Sequence, residues 1–573
     1  MAVGILLDRV RGDKKADLVL KNCRILDVFN CRVYSDDLAI SEGIIIGPGN
    51  YQGEQEIDLA GRYLVPGFID GHLHLESAMV RVDELARLAL SRGTTTVVAD
   101  PHEIANVAGL TGIRYLLNRG RRLAWNFHLM LPSCVPATSL ESSGARLEAE
   151  DLAELLEEPG VFGLGEVMDY PAVIAGDKNM LAKLELARNR FIDGHAPGVS
   201  GKELNAYLLA GIQADHECTT AAEALEKSAL GMYIMIRQGS VTRDLEALLP
   251  AVRPENNDRF LFATDDREPE DLLQEGQLDY AVKLAIANGM SPLLAYRLAT
   301  LNAARALGFG DLGAIAPGRK ADLLVLNDLE KVSIEMVFKD GRLLYREGSW
   351  LEPLAVSEPD DGLEAKITST VNLPELKPEN FRLPTGRKYR VITLKEDQII
   401  TGQQFVYRLE GESQADFLKR TGTLLLAVVE RHRASGKIGL GLVKGFKLRS
   451  GALASSVAHD SHNLIAAGKT PEDLLAAFQA LKDSQGGQLV VESGEVKAKL
   501  PLPIAGLMAE LSLEEVALSQ QELRRAAAQL GEDNPGAFMT LSFLALPVIP
   551  ELKLTARGLF DGKNFEEVEL VVK

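Results

Sequence analysis

The chain has 573 residues, 46% of them hydrophobic and 25% charged, and carries a net charge of −19. That length exceeds a single compact core and predicts roughly two to four domains, while the acidic balance excludes a nucleic-acid backbone or an anionic membrane as the main partner. No apolar run approaches the length of a bilayer span, the N-terminus lacks a secretory pattern, and Cys23, Cys31, Cys134 and Cys218 show no Cys-x-x-Cys spacing, so a reduced cytoplasm is expected and a disulfide framework or cysteine zinc site is not.

Residues 1–65 predict a small β module. The runs DLVLKNCRILDV, DDLAISEGIIIGPG and EIDLAGRYLV are rich in β-branched residues and broken by Gly, Asn and Asp. From Gly67 the pattern becomes apolar strands alternating with amphipathic helices. In VRVDELARLALSRG, for example, Val82, Leu85, Leu88 and Ala89 share one face and Gly93 ends the helix. The strand-like segments are GFIDGHLH, TTTVVADPHE, LAWNFHLMLPS, VFGLGEVMDY, RFIDGHAPG, GIQADHECTT, MYIMIRQGS and RFLFATDD. Eight such units in about 240 residues predict an α/β fold with a (β/α)8 TIM-type barrel over residues 66–304; an open doubly wound sheet is the alternative. The segment GAIAPGRKADLLVLNDLEKVSIEMVFKDGRLLYREG returns to short strands, so residues 305–350 are expected to rejoin 1–65 in a flanking composite β-sandwich. Residues 351–380, rich in Pro, Glu, Asp and Lys, predict a linker. Residues 381–573 mix strands such as RKYRVITLK with helices such as TPEDLLAAFQALKD and predict a C-terminal α+β domain.

A parallel barrel builds its site at the C-terminal ends of its strands. The first strand ends in His72-Leu73-His74, a spacing that puts both imidazoles on one face, as two ligands of one metal need. The fourth ends at Glu166, the fifth at His195, the sixth at His216-Glu217 and the eighth at Asp265-Asp266. Alone, each has a plainer reading: an incidental His-x-His, a polar residue near a turn, or a helix cap for Glu166 and Asp265. Together in one barrel order they predict a metal centre, and imidazole plus carboxylate without thiolate suits Zn, Mn or Fe(II). Glu76, His102 and Glu103 read equally well as helix caps. His459, Asp460, His462 and Asn463 form a dense polar cluster, expected as a solvated loop unless the third domain reaches over the barrel mouth. His432, between two arginines, is expected at the surface, and His128, mid-strand, in the core or barrel lining. The His-x-Glu of the zinc nucleobase deaminases occurs at His74 to Glu76, but the required Pro-Cys-x-x-Cys does not, which excludes that fold.

VPGFIDGHLH, and LNAARALG followed by GAIAPGRKADLLVL, resemble the amidohydrolase superfamily across residues 17–350. HLHLES, ADPHEIANV, GLGEVMDYPAV, DGHAPG, ADHE and ATDD, with SSVAHDSHNLI and LPLPIAGLM in the third domain, resemble the adenine deaminases over nearly the whole chain. That resemblance implies two divalent ions per chain, Mn(II) or Fe(II) favoured and Zn possible. His72, His74 and Asp265 would hold one ion and His195 and His216 the other. Glu166 would bridge them where many relatives use a carboxylated lysine. It further implies attack of hydroxide on C6 of adenine, Asp265 carrying a proton to the departing ammonia, and hypoxanthine as product, a purine-salvage reaction. Glu76, His102, Glu103 and Glu217 are candidates for protonating N1, and Ser77, His459, Asp460, His462 and Asn463 for binding the base. A small-molecule partner, a cytoplasmic location and a homo-oligomer, dimer favoured, are expected. A cyclic-amide hydrolase of the hydantoinase or dihydroorotase kind is the alternative, opposed by Glu166 and the long third domain. A non-catalytic scaffold is opposed by the presence of every predicted ligand, and a metal-storage or redox role would be at most a side activity.

Overall fold

The computed structural model describes residues 3–138, 140–354, 360–395, 398 and 400–572. Each of the eight strand-like segments from Gly67 to Asp266 contains a parallel strand. Five form one sheet in the spatial order Phe191–Gly194, Val161–Val167, Asn126–Leu131, Thr94–Ala99, Phe68–Leu73. Ala214–Asp215, Tyr233–Arg237 and Phe260–Ala263 form a second. These strands are buried along most of their length, and Thr94–Ala99 along all of it, because a parallel sheet is covered on both faces. Gln213 N donates to Ile192 O at 3.0 Å, and Asp265 N to His72 O at 3.1 Å, so hydrogen bonds also run between the two sheets. Ile69, Val98, Met130, Phe162, Phe191, Ala214, Met235 and Leu261, one from each strand, pack into a single cluster.

The helix Val82–Ser91 buries Val82, Leu85, Leu88 and Ala89 against its strand. Gly93 follows it with φ +84°, and a Cβ there would come within 2.8 Å of Leu324 and Ile334. The parallel strands therefore abut a second structure, a nine-stranded sheet drawn from both flanks of the chain. Its joint is the antiparallel pairing of Tyr63–Pro66 with Leu323–Leu326. Two facing sheets were expected here, yet hydrogen bonding makes one. The reason is the strand Ala16–Asp27, 12 residues long, whose register shifts between Leu20 and Cys23. Its first half pairs with Gly53–Asp58 and its second with Tyr63–Pro66, so one strand joins both sets of partners in a single sheet.

The segment read as a linker is partly ordered: Asp361–Ile367 is a helix, and Glu364 Oε1 accepts from Arg119 Nε at 3.1 Å. Residues 355–359 of it lie outside the described residues. Beyond it stands a second nine-stranded sheet, largely antiparallel, covered by the helix Pro471–Asp483. Chain from this part reaches back to the parallel strands. Ala509 N donates to Met79 O at 2.8 Å, and Arg524 of the helix Leu513–Gln529 pairs with Glu270. Among the described residues no helix is long and apolar enough to cross a membrane.

Candidate active site

The period of a strand brings His72 and His74 to the same side, and their Nε2 atoms lie 3.3 Å apart. Their outer nitrogens are occupied: His72 Nδ1 meets Asp193 Oδ2 at 2.8 Å and His74 Nδ1 meets the Asp100 carbonyl at 3.2 Å. Those acceptors place the proton on Nδ1 and turn the Nε2 lone pairs inward, the arrangement that metal-binding histidines require. Glu166 reaches both sides of the centre. Its Oε1 is 2.8 Å from His74 Nε2 and 3.2 Å from His72 Nε2, while Oε2 is 3.0 Å from His195 Nδ1 and 3.9 Å from His216 Nε2. Asp265 Oδ1 lies 3.3 Å from His74 Nε2. Its Oδ2 accepts from Arg237 Nη1 and Thr242 Oγ1, each at 3.2 Å. The backbone sets this up: Asp265 adopts φ +57° and bonds through N and O to the ends of His72 and His74.

The electrostatics match the geometry. Burial opposes charge on His72 and His74, yet Asp193, Asp265 and Glu166 around them hold both well above the ordinary histidine value. Burial likewise opposes charge on Glu166 and Asp265, and the facing imidazoles hold both well below the usual carboxylate range. A site whose carboxylates stay anionic while buried calls for positive charge at its centre. Inward imidazole lone pairs with two carboxylates and no thiolate fit divalent Mn, Fe or Zn.

The remaining predicted residues surround this centre. Glu76 Oε1 accepts from Ile104 N at 3.0 Å, so it caps the helix His102–Gly120 and not the next one in sequence. Burial and Glu103 push its carboxyl up to about 7. Asp100 Oδ1 accepts from His102 N at 3.0 Å and faces His102 Nδ1, which sits 3.8 Å from Glu166. Glu217 is tied to Arg237 through both oxygens. Ser77 donates to Asp266 Oδ1.

His459, Asp460, His462 and Asn463 are all buried, so of the two arrangements left open for them the solvated loop does not hold. They lie between the strands Ala452–Ser455 and Leu464–Gly468, and both histidines meet Glu103. Fully buried Arg431 donates to His462 O, and Asn463 Nδ2 to Ser142 O at 2.9 Å. His432 is half-buried rather than at the surface: its Nε2 meets Ser461 O at 2.8 Å, and burial with Arg431 pushes it down to about 3. His128 stacks on Phe309 with ring centroids 4.5 Å apart.

Residues 398–566 match the adenine deaminase C-terminal domain and residues 63–344 the amidohydrolase family. An adenine deaminase of Petrotoga mobilis is 50% identical over 567 residues, covering 99% of this chain and 99% of that protein. The chain belongs to the adenine deaminase family. Adenine deaminase 2 of Carboxydothermus hydrogenoformans is 47% identical over 568 residues, covering 98% of each. A solved enamidase of the amidohydrolase superfamily is 18% identical, with a TM-score of 0.43 over 59% of this chain and 99% of its own.

Sequence reasoning gave no role to four residues of this site: Asp100, Asp193, Arg237 and Asp266. Two signals were present. Asp193 lies on the strand Phe191–Gly194, two residues before His195, and Arg237 closes the seventh strand, whose end had no assigned group. Asp193→Asn puts an amide in place of the acceptor that holds His72 Nδ1–H. We expect metal affinity about 10- to 100-fold weaker, read by competition with a chromophoric chelator.

Glu141 gives a separate pH signature. Its Oε1 accepts from Ser461 Oγ at 2.5 Å, and burial with Asp460 nearby pushes its carboxyl up from 4.5 to about 8. A raised folded value means its contribution to stability is complete below pH 4.5 and is lost as pH rises towards 8. Glu141→Gln should flatten the fall in Tm across that window in calorimetry. An unchanged slope would remove Glu141 as its source.

Proposed function

We propose that the chain hydrolyses adenine to hypoxanthine and ammonia. The observation that carries this reading is Glu166. In a chain 50% identical to an adenine deaminase over 567 residues, its two oxygens divide between the His72–His74 pair and the His195–His216 pair. A carboxylate bridging two cations needs that division. The parallel strands are read as a (β/α)8 barrel over residues 66–304, supported by the hydrogen bonds that join its two sheets. Residues 1–65 with 305–350 form the composite β domain, 351–380 the connection and 381–573 the C-terminal α+β domain.

His72, His74 and Asp265 would hold one divalent ion, His195 and His216 the other, and Glu166 both, with Mn(II) or Fe(II) ahead of Zn. When bound, the ions supply Lewis-acid activation of water, making hydroxide available at neutral pH for attack on C6. Asp193 and the Asp100 carbonyl keep the imidazoles oriented. Arg237 and Thr242 hold Asp265 Oδ2, which leaves Oδ1 facing the reaction. Asp265 takes the proton of the attacking hydroxyl and passes it to the departing ammonia. The base sits between Ser77 with Asp266 on one side and the loop of His459 to Asn463 on the other.

Protein loaded with Mn(II) under reducing conditions should release ammonia and hypoxanthine from adenine in equal amounts. Folded, metal-loaded protein that releases neither would sink the reading, and hydantoin and dihydroorotate would be tried next.

A further inference from the structure

Glu103 opens the helix His102–Gly120, and both of its oxygens are taken by histidines more than 350 residues later in the chain. His459 Nδ1 lies 2.8 Å from Glu103 Oε1, and His462 Nε2 meets Glu103 Oε2. The three side chains converge closely enough to hold a cation. The tautomer of His462 argues against one. Ala458 N donates to His462 Nδ1 at 3.2 Å, so that nitrogen bears the lone pair and the ring proton sits on Nε2, facing Glu103. A cation would need the lone pair on Nε2 and a proton on Nδ1 pointing at the Ala458 N–H. Burial, which pushes His462 down to about 4, keeps the ring neutral in that form. Glu103 is therefore a carboxylate bonded through Oε1 to His459 Nδ1 and faced at Oε2 by the neutral His462 ring.

His459 differs from His462 at its other nitrogen. Its Nδ1–H is directed at Glu103, and its plane is set by stacking on Phe543, with centroids 5.0 Å apart at 24°. Its Nε2 takes no hydrogen bond among the described residues and is not sealed from solvent. Glu103, Asp266 and Asp460 surround the ring and, against the effect of burial, hold it up at about 9. His102 Nε2, 3.5 Å from Glu103 and on a ring that also approaches Glu166, links this pair to the centre.

Resting on the adenine reading, we propose that His459 is the acid that protonates N1 of the purine, oriented by Glu103, so that the C-terminal domain supplies a catalytic group to the site. The oxygen of hydroxide bonds to C6, the C6–N1 π pair moves to N1, and the Nε2–H of His459 passes to N1. Asp265 then moves the hydroxyl proton to N6, the C6–N6 bond breaks, and ammonia leaves with hypoxanthine protonated at N1. The next water supplies both a hydroxide and the proton that recharges His459. Of the rival acids, Glu217 is held by Arg237 through both oxygens, and Glu76 has Oε1 held by Ile104 N and Oε2 sealed from solvent without a partner among the described residues.

The test compares Mn-loaded wild type, H459A, H459Q and E103Q for ammonia release from adenine, bound Mn and Tm. Both His459 variants should lose about 100-fold or more in kcat/KM with Mn content unchanged, and added imidazole should restore part of the H459A activity. E103Q, a positioning variant, should lower kcat about 10-fold with KM within about three-fold. Activity of H459Q within about three-fold of wild type, loss of bound Mn in either His459 variant, or folded H459A that imidazole fails to restore would each overturn the proposal. Wild type inert towards adenine overturns the parent reading and this one with it, whereas active wild type with equally active H459A overturns this one alone.

Discussion

Asp265→Asn should lower kcat for adenine by about 100- to 10,000-fold while leaving the fold intact. The substitution removes the capacity to accept a proton and keeps a carbonyl oxygen where Asp265 Oδ1 stands 3.3 Å from His74 Nε2, while its NH2 takes the place of the Oδ2 that accepts from Arg237 and Thr242. It is gentler than truncation for a backbone reason. Asp265 adopts φ +57°, a conformation that Asn tolerates and that costs most residues about 1–2 kcal/mol. Asp265→Ala would mix that strain with the chemical loss. Steady-state ammonia release together with metal analysis separates the effects. A kcat within about ten-fold of wild type would remove Asp265 from proton transfer.

Glu166→Gln should cost the protein one of its two expected ions as well as its activity. Gln offers one acceptor oxygen, so the amide NH2 must face either His72 and His74 or His195 and His216, and it repels a cation on that side. Bound metal should fall from about two ions per chain towards one, and kcat/KM by about 100-fold or more. Retention of two ions would show that the imidazole pairs hold them without a bridging anion. The carboxylates that hold His72 and His74 well above the ordinary histidine value make the same point. Without cations this centre must gather protons, and with cations it need not.

Much of the centre was legible because strands have a period of two and parallel strands present their ends together. His72 and His74, then Glu166, His195, His216 and Asp265, can be picked out by position alone once the strands are counted. The roles of Asp100, Asp193 and Asp266 could not be. An aspartate before a helix is an ordinary cap, and its use here depends on which ring or hydroxyl it meets. Asp193 matters because its carboxylate meets the outer nitrogen of His72, and Asp100 because its carboxylate faces His102 while its backbone carbonyl meets His74. Glu217 was one of four candidates for protonating N1, and only the fold shows Arg237, from the adjacent strand, bonded to both of its oxygens.

Primary structure alone determined the chemical inventory: the class of ligand, the strand ends that carry them, the family, and the return of the chain to its N-terminal sheet. These follow from periodicity, residue type and motif, which are local properties. Tertiary structure decided what lies far apart in the chain and close in space. It paired the two halves of one 12-residue strand with different partners in a single sheet, gave Glu217 its arginine, and buried the loop of His459 to Asn463. That loop meets Glu103 because strands of the C-terminal sheet hold it from behind and Arg431, fully buried, holds it through the His462 carbonyl. A histidine's protonation, tautomer and partner are set by the groups within a few ångströms of it, and for His459 those groups come from the other end of the chain.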